Sequence, residues 1–393
     1  LGSLYLAQCA VCVPAPLPLP RIPVIFSPVK LTRPAPPRRA AFAALPLLLL
    51  LLLPLAGCGT AGYYAQAVSG HLGLMAAREP IEEVIADPAT PAAVRERLEL
   101  AQAARHFAVT ELGLPDNGSY TRYVQLDRPA VVYNVYAAPA FSLEPKRWCF
   151  PVAGCVVYRG YFKRAAAERS AAGLEAEGWD TWVGGASAYS TLGRFEDPVL
   201  SSMLYRDDAR LAGLLFHELA HQRLYVKDDS AFNEAFATAV EEEGVRRWLL
   251  AAGRADDLAA WHASRQRAEA FRLLLARARG RLQVLYASGA SEPELRAGKA
   301  AAFAQLEAEY RALKTSWNGW TGFDRWFDGP LNNARLIPSA TYRALVPAFR
   351  ILLLEADGDL EAFYAECARL GDLPQAERDA EMRRLLATAA TGP

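Results

Sequence analysis

Histidine is scarce in this sequence, which contains only five among 393 residues. Because so few are present, two of them at a ligand-like spacing carry more weight than they would in a histidine-rich chain. A net charge is also lacking, since 43 basic residues balance 43 acidic ones. No basic stripe with interleaved aromatic residues occurs, and we therefore expect no nucleic-acid partner. The apolar content of 52% is enough for one large core or two modest ones.

Acidic residues are absent from residues 1–57, which contain five basic residues. Within this region Arg38 and Arg39 precede an apolar run, Ala40 to Leu55, that contains seven consecutive leucines. A basic segment, an apolar segment and small residues at a cleavage site are typical of a secretory signal peptide, with a buried core helix as the alternative. Two prolines interrupt the run, which is also short for a membrane-spanning helix. We therefore expect residues 1–57 to be an N-terminal extension, rich in proline over residues 1–37, followed by a signal peptide.

The apolar run ends at Leu55-Ala56-Gly57-Cys58, a sequence that resembles the bacterial lipobox. The resemblance implies that Cys58 is lipidated and becomes the first residue of the mature protein. The chain would then be anchored to a membrane on the periplasmic side. Gly59 follows at the position where an aspartate retains lipoproteins at the inner membrane of enteric bacteria, and the outer membrane is therefore favoured.

The segment His217-Glu218-Leu219-Ala220-His221 is the main candidate for a functional site. On a helix, side chains four residues apart project from one face a single turn apart, which allows two imidazoles to hold one zinc ion. Leucines at helical spacing around the segment predict that its helix is well buried. The alternative is a histidine pair that only packs in the core or on the surface. The helical, apolar flanks favour the zinc site.

Nearby glutamates complete the predicted site. Glu218 follows the first histidine, where its carboxylate can accept a proton from a water molecule polarised by the metal. Glu234 is the best candidate for a third ligand, because a tight reversal before it would return the first turn of the next helix to the histidines. Glu241 lies seven residues after Glu234 on the same helical face and can hydrogen-bond a ligand imidazole.

Strand-forming residues predict a small sheet ahead of the metal helix, at residues 119–126, 130–136 and 152–161. Cys149 and Cys155 predict a local disulfide, with two buried thiols as the alternative. A glycine-rich segment, residues 182–193, predicts a further short strand. This strand is either an edge that pairs with an extended peptide or an ordinary sheet edge.

Helical patterns dominate the chain after Gly253. We therefore predict an α+β fold with a small, mostly antiparallel sheet and a largely helical C-terminal half. Three regions are expected: an extension with a signal peptide at residues 1–57, a catalytic region at 58–250, and a helical region at 251–393 that closes the cleft.

With these residues placed, the sequence resembles the lipoprotein aminopeptidase family of proteobacteria, a family of gluzincin-type zinc metallopeptidases. The resemblance covers Tyr63 to about Leu354. It rests on five stretches, namely Phe150–Gly154, Ala188–Gly193, His217–Gln222, Phe232–Glu234 and Pro330–Ala334. It implies a zincin-like fold that hydrolyses peptide bonds, with Zn²⁺ held by His217, His221 and Glu234. By the same resemblance Glu218 is the catalytic carboxylate.

The sequence departs from many zinc aminopeptidases in lacking a Gly-x-Met-Glu-Asn strand, which holds the free amine of the substrate. An endopeptidase is therefore one alternative to an aminopeptidase, and a non-catalytic zinc-binding scaffold lipoprotein is another. An intact Glu218 favours an enzyme, because a structural zinc site needs no general base. The candidates for a hydrogen bond to the reaction's oxyanion are Tyr342, Tyr225 and Tyr189, in that order.

Overall fold

The computed structural model describes residues 58–150, 154–339 and 344–391 of the chain. The predicted extension and signal peptide therefore lie outside the described residues, as does Tyr342. Cys58 is the first residue of the first described helix. Among the described helices, none is both long and apolar enough to cross a membrane.

The part of the chain before the metal helix combines short strands with helices. In chain order its elements are α1 (Cys58–Ala76), β1 (Glu79–Pro80), α2 (Ile81–Ala86), α3 (Ala92–Thr110), β2 (Arg122–Val124), β3 (Val132–Pro139), β4 (Trp148–Phe150), β5 (Gly154–Val156), β6 (Arg159–Tyr161), α4 (Arg164–Ala176), β7 (Trp179–Ala186) and β8 (Val199–Leu200).

The rest of the described chain is helical. Its α-helices are α5 (Asp208–Arg223), α6 (Ser230–Ala251), α7 (Ala255–Tyr286), α8 (Glu292–Ser316), α9 (Asn333–Leu336), α10 (Val346–Glu355), α11 (Leu360–Asp372) and α12 (Gln375–Thr391). The prediction of an α+β fold with a largely helical C-terminal half is therefore confirmed.

The strands form three small ladders where the sequence predicted one sheet. The central ladder has the order β6-β3-β7 and is antiparallel throughout. In a second ladder, β2 pairs antiparallel with β1 and parallel with β8. Strands β4 and β5 form a separate hairpin, in which Cys149 and Cys155 are opposite each other and joined by a disulfide. Most of these strands have only two or three residues, too few to merge into one continuous sheet.

The predicted edge strand is shorter than its glycine-rich segment. Strand β7 ends at Ala186, and residues 188–193 continue as a loop toward the metal helix. Among the described strands, β7 pairs only with β3, so it is an edge of the central ladder. One of its carbonyl groups, that of Thr181, accepts a hydrogen bond of 2.8 Å from Asn332 Nδ2. The loop before α9 thus covers one point of this edge.

The main hydrophobic core crosses the boundary predicted at residue 250. Buried residues of the metal helix, such as Leu215 and Phe216, belong to the same cluster as Phe349 and Phe363 from α10 and α11. A separate cluster holds the pair α7 and α8 against the aromatic loop that follows it. Because α10 and α11 share the core of the metal helix, they support the site directly.

Asn333 connects the helical pair to the central ladder. Its Nδ2 donates to the carbonyl oxygens of Pro139, Ala140 and Ser142 at 3.0, 3.0 and 3.1 Å. Its Oδ1 accepts a 2.9 Å hydrogen bond from the hydroxyl of Tyr286. The side chain is fully buried, so each of these carbonyl groups would lose a partner that water cannot replace.

We therefore predict that Asn333→Ala lowers the free energy of unfolding by about 2–3 kcal/mol, because several buried polar groups lose their hydrogen bonds. Urea unfolding followed by circular dichroism measures the change. Gln283→Ala is the control, since Gln283 is exposed on α7. If both variants unfold at the same urea concentration, Asn333 does not anchor the loop that follows β3.

Candidate metal centre

Local capping interactions define the start of the metal helix, α5. The carboxylate of Asp207 accepts a 2.9 Å hydrogen bond from the backbone N–H of Arg210, which caps the helix N-terminus. From Leu211 to His221 every residue of the helix is buried. The predicted buried helix is confirmed, and its histidines project into the interior of the protein.

A clamp around the following turn explains why Glu234 returns to the histidines. The Asn233 side chain accepts a 2.8 Å hydrogen bond from the backbone N–H of Val226 and donates one of 2.7 Å to the carbonyl of the same residue. Asp228 adopts a positive φ of 63° at this turn. Asp229 then caps α6 by accepting a hydrogen bond from Phe232 N at 3.0 Å. Helix α6 therefore reverses directly onto α5.

The three predicted ligands converge in the structure. The Nε2 atom of His217 lies 3.6 Å from Glu234 Oε2, and that of His221 lies 3.5 Å from Glu234 Oε1. One potential ligand atom from each residue lies within 4.8 Å of the others. Two imidazole nitrogens and a carboxylate oxygen are the donors that a catalytic zinc ion takes from protein, with one position left open. The residues present therefore fit a zinc ion.

Burial and mutual attraction shift the ionisation of these groups. Although burial alone would raise it, hydrogen bonds from His217 and His221 hold the pKa of Glu234 at about 2. Burial lowers the pKa of His221. For His217 burial is outweighed by Glu234 and Glu241, which raise its pKa to about 10. A metal ion must therefore displace a proton from His217, since only the neutral imidazole is a ligand.

Glu218 lies beside the ligands with one oxygen available. It is 1% exposed, and its Oε2 has no hydrogen-bond partner among the described residues. Burial raises the pKa of Glu218 to about 8, with the negative charges of Glu234 and Asp197 adding to the effect and His217 opposing it. A buried carboxyl group with a raised pKa next to a metal site is typical of a general base.

Three further residues surround Glu218, and no pattern in the sequence indicates their roles. The hydroxyl of Ser190 lies beside both Glu218 and Tyr120. Tyr120 is 1% exposed, and its hydroxyl has no hydrogen-bond partner among the described residues. The Tyr120 backbone N–H donates to the carbonyl of Asp197 at 2.6 Å. A buried donor and a buried acceptor thus lie close together, each with unused hydrogen-bonding capacity.

Asp197 fixes the loop that carries Ser190. Its carboxylate accepts hydrogen bonds from the Thr191 hydroxyl at 2.7 Å and from the Thr191 backbone N–H at 2.8 Å. Ser190 Oγ lies 3.4 Å from the same carboxylate. Burial raises the pKa of Asp197 to about 6, although these hydrogen bonds oppose the shift. This loop is the continuation of the glycine-rich segment, so that segment lines the site through Ser190.

Gln222, the residue after the second histidine, joins two loops at this end of the metal helix. Its Oε1 accepts a 2.7 Å hydrogen bond from Asn117, and its Nε2 donates to Ser119 Oγ at 3.3 Å. Gly193 has a φ of +73°, and a Cβ atom there would lie 2.9 Å from Gln222 Oε1. A side chain at position 193 would therefore strain the backbone and displace the Gln222 side chain.

Of the tyrosines predicted as oxyanion donors, Tyr342 lies outside the described residues, and the other two have surroundings that differ from those of Tyr120. The hydroxyl of Tyr189 is 3.1 Å from His71 Nδ1 in a buried aromatic cluster. Tyr225 lies after the metal helix with 43% of its surface exposed. Tyr120 could be found only from the structure, because its backbone N–H bonds to the carbonyl of Asp197, a residue distant in sequence.

Glu241 lies on the opposite side of His217 from the ligand position. Its Oε2 is 3.2 Å from His217 Nδ1, and the residue has no exposed surface. A carboxylate at this distance can orient the imidazole so that its other nitrogen faces the metal. By contrast, His221 Nδ1 has no hydrogen-bond partner among the described residues.

Comparison with known proteins identifies the family to which this chain belongs. The sequence profile of the family described as "Putative aminopeptidase" matches residues 62–382. This span contains both helices of the candidate site and most of the helical C-terminal half. No curated protein matches the chain. No solved structure matches it either. Because the profile covers most of the sequence, the chain belongs to this aminopeptidase family.

Proposed function

We propose that this protein is a zinc-dependent metallopeptidase, and more specifically an aminopeptidase that hydrolyses peptide bonds by assisted attack of water. The convergence of His217, His221 and Glu234 beside Glu218 carries this proposal. Membership of an aminopeptidase family supports a peptide substrate. The donor set supports zinc, for which two imidazoles, a carboxylate and an open position are a common catalytic arrangement.

Each residue of the site has a distinct role in this mechanism. When bound, zinc supplies a positive charge that polarises the scissile carbonyl group and a water molecule. Glu218 accepts a proton from the attacking water and donates it to the leaving amine. The Ser190 hydroxyl beside Glu218 fixes the orientation of its carboxylate. Tyr120 donates a hydrogen bond to the oxygen on which negative charge develops.

The buried hydroxyl of Tyr120 leads to a prediction for catalysis. We expect Tyr120→Phe to reduce kcat by about 10²-fold, since a lost donor to the oxyanion weakens binding of the transition state. Metal content and KM should change little. Steady-state kinetics with a cleaved peptide measures both constants.

Tyr123→Phe is the matched control, because the Tyr123 hydroxyl donates to Gln125 at 2.5 Å, away from Glu218. A normal kcat for the Tyr120 variant would exclude this tyrosine as the donor. A raised KM with an unchanged kcat would instead give it a role in substrate binding.

A peptide panel separates the aminopeptidase from its alternatives. Peptides with free amino termini, the same peptides with blocked termini, and internally quenched peptides should be compared in the presence of zinc. The aminopeptidase proposal requires hydrolysis of the free-amino peptides alone. Cleavage of blocked peptides would identify an endopeptidase. Zinc binding without cleavage of any peptide would support a scaffold lipoprotein.

We also propose that the mature chain is anchored through a lipid on Cys58 at the periplasmic face of an envelope membrane, with the outer membrane favoured. The lipobox-like sequence before Cys58 supports this. Helix α1 contains no charged residue and exposes Tyr64, Val68 and Leu72, which suits a position near lipid. Incorporation of a labelled fatty acid tests the proposal, and an unchanged signal in Cys58→Ser would contradict it.

A further inference from the structure

A chain of charged contacts extends from the candidate ligand His217 into the helical C-terminal half. Glu241 Oε2 lies 3.2 Å from His217 Nδ1, and Glu241 Oε1 lies 3.6 Å from Arg265 Nη1. Arg265 also donates to Glu242, the next residue of α6. Glu242 Oε2 in turn accepts a hydrogen bond of 2.6 Å from Arg350 on α10. The contacts thus connect the metal helix with α6, α7 and α10.

Because Glu241 is buried, its negative charge needs a positively charged partner. A carboxylate without exposed surface loses its hydration, which is costly unless opposite charge and hydrogen bonds compensate. When His217 holds a metal ion it is a neutral ligand, so it supplies a hydrogen bond and no full positive charge to Glu241. Arg265 supplies such a charge from the other side, at the second carboxylate oxygen.

Arg265 itself is held in one arrangement. Its guanidinium lies 5.3 Å from the ring centre of Trp261, one turn earlier on α7, and only 16% of its side chain is exposed. Glu242 fixes its second amino group. A guanidinium fixed on two sides presents its remaining N–H groups in a defined direction, and here that direction is toward Glu241.

We propose that Arg265 is a positioning residue for the metal ligand His217. It orients and neutralises Glu241, which accepts the hydrogen bond from His217 Nδ1 and so directs Nε2 toward the metal. The inference rests on the proposed zinc site and extends it to a helix that contributes no ligand. On this basis α7 contributes to metal affinity through Glu241.

Zinc affinity of the full chain tests this role. Purified protein is stripped with a chelator, and the dissociation constant for Zn²⁺ is measured by competition with a chromophoric chelator. We expect Arg265→Leu to weaken zinc binding about tenfold, in line with the effect of removing outer partners of ligating histidines. Arg265→Lys, which retains a positive charge, should restore part of the affinity. The absorption spectrum of the Co²⁺ form should also change in Arg265→Leu.

A matched control separates this role from general stability. Arg272 lies on the same helix, and its ion pair joins Glu269 three residues away. Arg272→Leu should therefore bind zinc as the wild type does. Melting temperatures measured in chelator report the stability of each metal-free variant. Should Arg265→Leu fail to fold, Arg265→Gln replaces it, with the same tenfold loss expected.

The outcomes distinguish this inference from the proposed function. If the wild type binds zinc and Arg265→Leu or Arg265→Gln binds it equally well, the positioning role is wrong while the zinc site stands. The same conclusion follows if Arg272→Leu weakens binding as much as Arg265→Leu. If the wild type binds no zinc, both the proposed function and this inference are wrong.

Discussion

Glu218→Gln is expected to reduce kcat/KM for peptide hydrolysis by about 10²–10⁴-fold, the range that a positioned general base contributes. Glutamine has nearly the same shape but accepts a proton far less readily than a carboxylate. Because Glu218 is not one of the three convergent ligands, zinc content should remain at the wild-type level. Peptide hydrolysis assays and metal analysis of the same preparation measure the two effects together.

The control for this prediction is Glu243→Gln. Glu243 is on α6, and its carboxylate is paired with Arg246 and Arg247 away from the metal ligands. This variant should retain full activity. Equal activity of wild type and Glu218→Gln would exclude Glu218 as the general base. Loss of zinc from Glu218→Gln would show instead that this carboxylate contributes to the metal site.

The metal helix and its neighbour could be predicted because the relevant interactions are local in sequence. The four-residue spacing of His217 and His221 specifies a shared helical face. The return of Glu234 depends on a short turn that Asn233 and Asp229 fix within the same segment. Such contacts are determined by residues a few positions apart, and the sequence displays them directly.

The surroundings of Glu218 depend on contacts between distant segments. Tyr120 precedes β2, while Ser190 and Asp197 belong to the loop between β7 and β8. The parallel pairing of β2 with β8, in which Tyr123 is opposite Val199, brings these two segments together. A two-residue strand has no periodicity that sequence could display. For this reason the predicted oxyanion donors were other tyrosines.

The division of the strands among three ladders could not be predicted for a related reason. The segments with strand-forming composition can be recognised, but which strands pair is decided by packing against α2, α4 and α9. The cysteine pair was easier to interpret, because only five residues separate the two positions. The hairpin of β4 and β5 places them opposite each other.

The second large effect is expected for His221→Ala, which removes one of the two imidazole ligands. Zinc affinity should fall by more than the 10–100-fold typical of lost outer partners, and activity should disappear at zinc concentrations that saturate the wild type. No replacement for the lost nitrogen is expected, because His217, His221 and Glu234 are the one group of described residues that could hold a metal ion.

Thermal stability gives an independent measure of the same site. Zinc at about 100 times its dissociation constant should stabilise the wild type by about 2.7 kcal/mol, since the ion binds the folded chain. His221→Ala should show no such increase at that concentration. His262→Ala is the control, because His262 is exposed on α7, and its stabilisation by zinc should equal that of the wild type. If zinc stabilises His221→Ala as strongly as the wild type, the ion binds elsewhere. The two histidines and Glu234 would then not form the zinc site.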